Sequence, residues 1–238
     1  MSDRTASLDL GKEPVQLDVY ESTVGQPGID IRKLRATTGH VTFDPGFGNT
    51  AAARSTITYI DGAAGVLLHR GYRIEALAEN CSFLEVAYLL LYGHLPNVTE
   101  LDAWTDSIST HTLLNEEMRS FFDAFPRRAH PMAVLSSATN AISTFYDVYR
   151  RPMRGDEIDA GARTLIAKLP TIAAWAFKKS IGEPYVYPQN DLEYVENFLH
   201  MMFARPVEDI TIDPAVVKAL NVLLILHADH EMNCSTST

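Results

Sequence analysis

The chain has 238 residues, 46% of them hydrophobic and 21% charged, with 20 Lys or Arg against 30 Asp or Glu and a net charge of −10. That length can bury a large core in one large or two small domains, and the composition is that of an ordinary soluble globular protein. The negative balance argues against nonspecific nucleic-acid binding, so an anionic substrate would need local Arg or His groups to hold it.

Cys81 and Cys234 are the only cysteines. With no disulfide framework and no CxxC motif, a reducing cytoplasm is the simplest reading. The first residues, MSDRTASLDLGKEPVQL, lack the apolar run of a signal peptide. LEVAYLLLYG and VLLILHA are too short to span a bilayer and read as buried helices.

Residues 1–70 are rich in Gly, Thr and β-branched residues. VQLDVYES alternates Val15, Leu17 and Val19 with polar neighbours, which predicts a half-buried strand. GIDIRKL (28–34) reads as a short strand or a turn of helix. STITYIDG (55–62) and GVLLHRG (65–71) read as a hairpin around Asp61-Gly62-Ala63-Ala64-Gly65.

From residue 71 the texture is helical. RIEALAEN has helical spacing. CSFLEVAYLLLYG offers Ser82 as N-cap, Glu85 three residues on, and Gly93 as a stop. NVTELDAWTDSISTH is capped by Asn97 or Thr99. TLLNEEMRSFFDAF carries Leu113, Leu114, Met118, Phe121, Phe122 and Phe125 and ends at Pro126.

Residues 130–150 form a small-residue helix with Pro131 in its first turn. Residues 155–182 form a long helix in which Pro170 predicts a kink or a division into two. DLEYVENFLHMMF is amphipathic. A final helix opens on Asp213-Pro214, and its run of Val216, Val217, Leu220, Leu223, Leu224, Ile225 and Leu226 predicts burial nearly all round. The fold class is therefore mainly α, a multi-helix domain (71–238) preceded by a small β-rich segment (1–70).

The densest chemistry is His227-Ala228-Asp229-His230-Glu231. Two histidines three apart can share one side of a helix, and the neighbouring carboxylates can orient or charge them. Such a pair could hold an organic carboxylate by charge-assisted hydrogen bonds. The same residues could instead cap a helix end, and His227, His230 and Glu231 are ligand types that zinc accepts, although the spacing is not that of the zincins. His69-Arg70-Gly71-Tyr72 and Arg127-Arg128-Ala129-His130-Pro131-Met132 are weaker anion-site candidates, with a solvated basic turn as the plainer reading. Tyr185, Tyr187, Tyr194 and the Met201-Met202-Phe203 run read as core or interface. No GxGxxG, Walker A or GxSxG string is present.

Several strings in series, TFDPGFGNT, STITYIDG, LLHRGYRIEALAE, AHPMAVL, KLPTIAA, YVYPQNDL and ILHADHEMNCSTST, resemble the citrate synthase family in its longer bacterial form with an N-terminal β segment. The resemblance implies the large helical domain of that fold. It implies condensation of oxaloacetate with acetyl-CoA and water to citrate and CoA in the tricarboxylic acid cycle, with acetyl-CoA a substrate and no cofactor or metal. The second histidine of the HADHE string binds oxaloacetate in that family, which falls on His230 here. Asn233 matches a position lining the same pocket, and His227 is given a supporting role. The family's catalytic His, in a GPxHGGAN-like string, a further His in GFGHRVY, the catalytic Asp and the carboxylate-binding arginines have no counterpart in residues 1–238. The chain is accordingly expected to be the N-terminal portion of a longer enzyme, without catalytic residues of its own and inactive alone.

Some bacterial members are inhibited by NADH at a separate site whose pattern His111, Tyr146 and Lys168 match. Thr164 stands where those members carry Arg, and Val207 where they carry Cys, which argues against strong NADH control. The resemblance further implies a cytoplasmic homodimer or hexamer that engages neither nucleic acid nor membrane. The alternatives are a 2-methylcitrate synthase using propionyl-CoA, which the β-rich start disfavours, a metal-dependent hydrolase built on His227, His230 and Glu231, and a noncatalytic helical scaffold.

Overall fold

In the β-rich segment the chain alternates apolar and polar residues over short runs, and pairing supplies the rest. The computed structural model describes residues 4–51, 53–146, 155–208 and 210–231. They fall into two compact units, Met1–Arg73 with Asp229–Thr238, and Ile74–Ala228.

The first unit holds two three-stranded antiparallel sheets. In one, β1 (Thr5–Leu8), β2 (Val15–Tyr20) and β3 (Gly28–Ile29) lie in the order β1-β2-β3. Leu17 and Val19 are buried, as the alternation requires. The stretch read as a strand or helical turn supplies both β3 and, after it, the short helix α1 (Leu34–Thr38). In the other sheet, β4 (Thr58–Asp61) pairs with β5 (Val66–His69) in the register Asp61↔Val66 to Thr58↔His69, as the hairpin signal predicts. Strand β6 (Tyr72–Arg73) returns along β5 after the two residues Arg70 and Gly71. Both have positive φ, 51° and 89°, the pattern of a type I′ hairpin turn. The TFDPGFGNT string winds around Asp44, whose Oδ2 accepts from the Asn49 amide at 2.8 Å and the Thr50 hydroxyl at 2.9 Å. These donors hold the Asp44 carboxyl below its ordinary range.

The second unit is helical: α2 (Ile74–Asn80), α3 (Phe83–Tyr92), α4 (Val98–Ser109), α5 (Met118–Asp123), α6 (Pro131–Phe145), α7 (Gly155–Ile181), α8 (Tyr194–Phe203) and α9 (Pro214–Leu226). Ser82 with Glu85 and Asn97 with Glu100 each form a complete capping box, and Gly93 closes α3 at φ 88°. One core gathers Met118, Phe122, Val134, Ala138, Ile142, Ile172 and Trp175. A second gathers Leu84, Ala87, Trp104, Ile108 and Ala167. Helix α7 contributes to both, so it is the axis of this unit. Tyr185 stacks on Trp175 with ring centroids 4.9 Å apart, and Met201 is buried, in keeping with the core reading of those residues.

Three expectations need correction. The helix expected over TLLNEEMRSFFDAF shrinks to the six residues of α5. Side chains of α7 take the carbonyls that a longer helix would use: Lys168 Nζ donates to His111 O and Leu113 O, and Thr171 Oγ1 to Thr112 O. The Asn115 side chain then accepts from the Glu117 amide, an Asx turn that starts the short helix. Helix α7 runs unbroken through Pro170 instead of dividing there. Proline leaves the carbonyl four residues back without its amide, and Tyr194 Oη donates to that carbonyl, Ile166 O, at 2.9 Å. Finally, α9 is not buried all round. Ile225 is fully buried, yet Val216, Leu223 and Leu226 are 48%, 52% and 40% exposed. Helices α2, α3 and α8 pack against α9.

Candidate functional site: the HADHE segment and its anchor

Helix α9 delivers the chain to the HADHE segment. Asp213 caps it through the Ala215 amide at 2.8 Å, with Pro214 in the first turn. Asn221 fixes its direction: its Oδ1 accepts from the Phe83 amide at 2.8 Å and its Nδ2 donates to Cys81 O at 3.2 Å. This amide satisfies one free amide at the start of α3 and ties two helices 138 residues apart in sequence.

The helix stops at Leu226, so His227 and His230 do not share a helical face as expected. His227 is the C-cap. Its Nδ1 lies 2.7 Å from Leu223 O, a carbonyl in the last turn that the His227 backbone amide also reaches at 3.2 Å. A carbonyl only accepts, so Nδ1 carries the proton. The capping reading holds for His227.

Asp229 is anchored in the first unit. Its Oδ2 accepts from Thr58 Oγ1 at 2.5 Å, and the same hydroxyl lies 3.1 Å from Nδ1 of the fully buried His69. His230 follows directly and is exposed. Glu231, also exposed, adopts the left-handed region at φ 59°, an uncommon conformation for a side chain of its size. Asn233 lies outside the described residues. Among those residues, no three His, Cys, Asp or Glu side chains converge as a metal would need, so the zinc reading of His227, His230 and Glu231 has no donor set.

The other candidates resolve into structural roles. His130 Nδ1 accepts from the Met132 amide as the N-cap of α6, and Arg127 Nη2 donates to Ile181 O at the end of α7. Arg70 Nη1 donates to Thr56 O and Oγ1.

His111, Tyr146 and Lys168 do come together. Lys168 Nζ is 2.7 Å from His111 O, 2.5 Å from Leu113 O and 4.5 Å from the Tyr146 ring centroid. Burial pulls the ammonium down to about 8, while the two carbonyls and the ring face favour its charged form. Lys168 thus holds the turn at 111–117 from within. Thr164 is half-buried and Val207 is exposed.

Thr58 escaped sequence reading. Its only signal is its register opposite His69 in a predicted hairpin, because its partner Asp229 is 171 residues away.

The model of the citrate synthase C-terminal domain matches residues 46–238. The chain belongs to the citrate synthase family. It is 53% identical over 237 residues to citrate synthase 1 of Mycobacterium tuberculosis, covering all of this chain and 55% of that protein. It is 50% identical over 223 residues to the citrate synthase of Corynebacterium glutamicum, covering 94% of this chain and 51% of the relative. Among solved structures, the crystal structure of citrate synthase from Pyrobaculum aerophilum superposes with a TM-score of 0.71 at 31% identity, over 92% of this chain and 51% of that one. The chain therefore spans about half the length of the curated relatives it matches. No helix of the described residues is long and apolar enough to cross a membrane.

Proposed function

We propose that this chain is part of an enzyme that condenses oxaloacetate with acetyl-CoA and water to give citrate and CoA in the tricarboxylic acid cycle. The observation that carries the reading is the Thr58–Asp229 hydrogen bond, which anchors the residue immediately before an exposed histidine of the HADHE string. On this reading His230 donates to a carboxylate of oxaloacetate, and Asn233 lines the same pocket. His227 has its Nδ1 proton engaged by Leu223 O and acts in support, as a cap. A charge-assisted bond of this kind is stronger than a neutral one and suits a dianionic substrate in a protein of net charge −10.

The chemistry divides accordingly. A base removes a proton from the acetyl methyl group, the resulting enol carbon attacks the oxaloacetate ketone, and water cleaves the citryl thioester to release CoA as its thiol. The residues described here bind and orient the ketone partner. We assign proton removal to the family strings that residues 1–238 do not contain. The same reading makes the working enzyme a cytoplasmic homodimer or hexamer, which sedimentation would size.

The test is thiol release by the protein expressed from its complete reading frame, with acetyl-CoA and propionyl-CoA compared. Release that requires oxaloacetate and a higher kcat/KM for acetyl-CoA is expected. One methylene is worth about 1–3 kcal/mol, or roughly 10- to 200-fold. A preference for propionyl-CoA would make it a 2-methylcitrate synthase, and no oxaloacetate-dependent release would end the reading. Residues 1–238 alone are expected to show no turnover, since loss of a general base costs about 10²–10⁴-fold.

A further inference from the structure

We infer that Thr58 and the buried His69 are positioning residues for His230, acting through Asp229. The inference rests on the proposed oxaloacetate site and adds the relay that holds it.

The chain of hydrogen bonds has a defined direction. An aspartate carboxylate only accepts, so the single hydroxyl proton of Thr58 points at Asp229 Oδ2, 2.5 Å away. The hydroxyl oxygen must then accept from His69 Nδ1 at 3.1 Å, which assigns the proton on that ring to Nδ1. The order is His69 Nδ1–H to Thr58 Oγ1–H to Asp229 Oδ2. Each donor polarises the next, so the bond to Asp229 is strengthened by the one behind it.

The base of the relay is rigid for reasons local to the sheet. Thr58 and His69 are directly opposed partners in the β4–β5 ladder, so their side chains leave the same face of the sheet. Two turns fix that register, the loop between Asp61 and Val66 on one side and the Arg70-Gly71 turn on the other. His69 is fully buried, so its ring is held by packing as well. Asp229, by contrast, follows a helix end and lies two residues before Glu231, which is at φ 59°. Backbone torsions alone would leave this segment several conformations. The hydrogen bond from the hairpin selects one, and His230 inherits it through a single peptide unit.

An anchor of this kind changes affinity by changing the fraction of molecules with His230 in place, since apparent Kd equals the intrinsic value divided by that fraction. It leaves the acyl-CoA partner and the chemical step alone. Thr58→Val keeps the shape and β propensity of the side chain and removes the hydroxyl. Thr58→Ser restores it.

The experiment is steady-state kinetics of the full-length enzyme with Thr58→Val, Thr58→Ser and His230→Gln, with thermal stability recorded alongside. The expected result for Thr58→Val is an oxaloacetate KM raised about tenfold, the size of one charge-assisted hydrogen bond, with acetyl-CoA KM unchanged. Thr58→Ser should return the oxaloacetate KM to within about twofold of the native value, the behaviour of a restored hydrogen bond. If Thr58→Val lowers stability but leaves the oxaloacetate KM unchanged while His230→Gln raises it, the relay is overturned and the oxaloacetate site stands. If His230→Gln itself leaves the oxaloacetate KM unchanged, the site reading falls and the relay falls with it.

Discussion

Pro170 lies inside a 27-residue helix, and the continuity of that helix makes a quantitative demand on Tyr194. Proline has no amide to give Ile166 O, and the Tyr194 hydroxyl donates to it instead at 2.9 Å. Burial pushes the Tyr194 phenol well above its ordinary pKa, so it stays protonated and able to donate throughout the neutral range. Tyr194→Phe keeps the ring, which stacks on Phe83 at 5.5 Å, and removes only the donor. The stranded carbonyl should cost about 1–3 kcal/mol, the penalty for a buried polar group left unpaired. Pro170→Ala returns an amide at position 170, so in that background Tyr194→Phe should cost less than about 0.5 kcal/mol. Urea unfolding of the four proteins of this cycle, followed by circular dichroism, measures the coupling. An equal cost of Tyr194→Phe in both backgrounds would refute the substitution of hydroxyl for amide.

Lys168→Met should cost about 1–3 kcal/mol for each of the two carbonyls it strands, measured by urea unfolding at pH 7. The pH dependence has a fixed sign. Lys168 sits at about 8 folded against 10.5 as a free side chain, so between those values the unfolded chain binds more protons. The native protein should therefore gain stability relative to Lys168→Met as pH rises through that window, and a shrinking gap would contradict the assignment. The neutral amine still has two N–H groups for the two carbonyls. Ser82→Ala and Asn97→Ala each remove half of a capping box and should each cost about 0.5–2 kcal/mol. Thermal melts that match the native protein would show those caps to be idle.

What was legible in the sequence was local. Ser82 with Glu85, Asn97 with Glu100 and Asp213 with Pro214 announce helix starts because cap and partner lie within three residues. The β4–β5 hairpin was legible for the same reason. Strand β1 was not, because four residues of mixed burial become a strand only through pairing with β2. The continuity of α7 depends on a tyrosine 28 residues from the carbonyl it serves, and the short α5 on lysine and threonine side chains more than 50 residues away. At the candidate site the sequence singled out five residues but did not show what supports them. His227 turns back onto its own helix, and Asp229 is held from a strand 171 residues earlier. No periodicity carries that information. Hairpin register places Thr58 beside His69 but says nothing of Asp229.

The most direct test of the whole account is the oxaloacetate KM of the full-length His230→Gln enzyme, measured beside its acetyl-CoA KM. Loss of one charge-assisted hydrogen bond to a substrate carboxylate should raise the oxaloacetate KM by about 10- to 100-fold and leave the acetyl-CoA KM within about twofold. An unchanged oxaloacetate KM, or an equal rise in both, would mean that His230 does not grip this substrate.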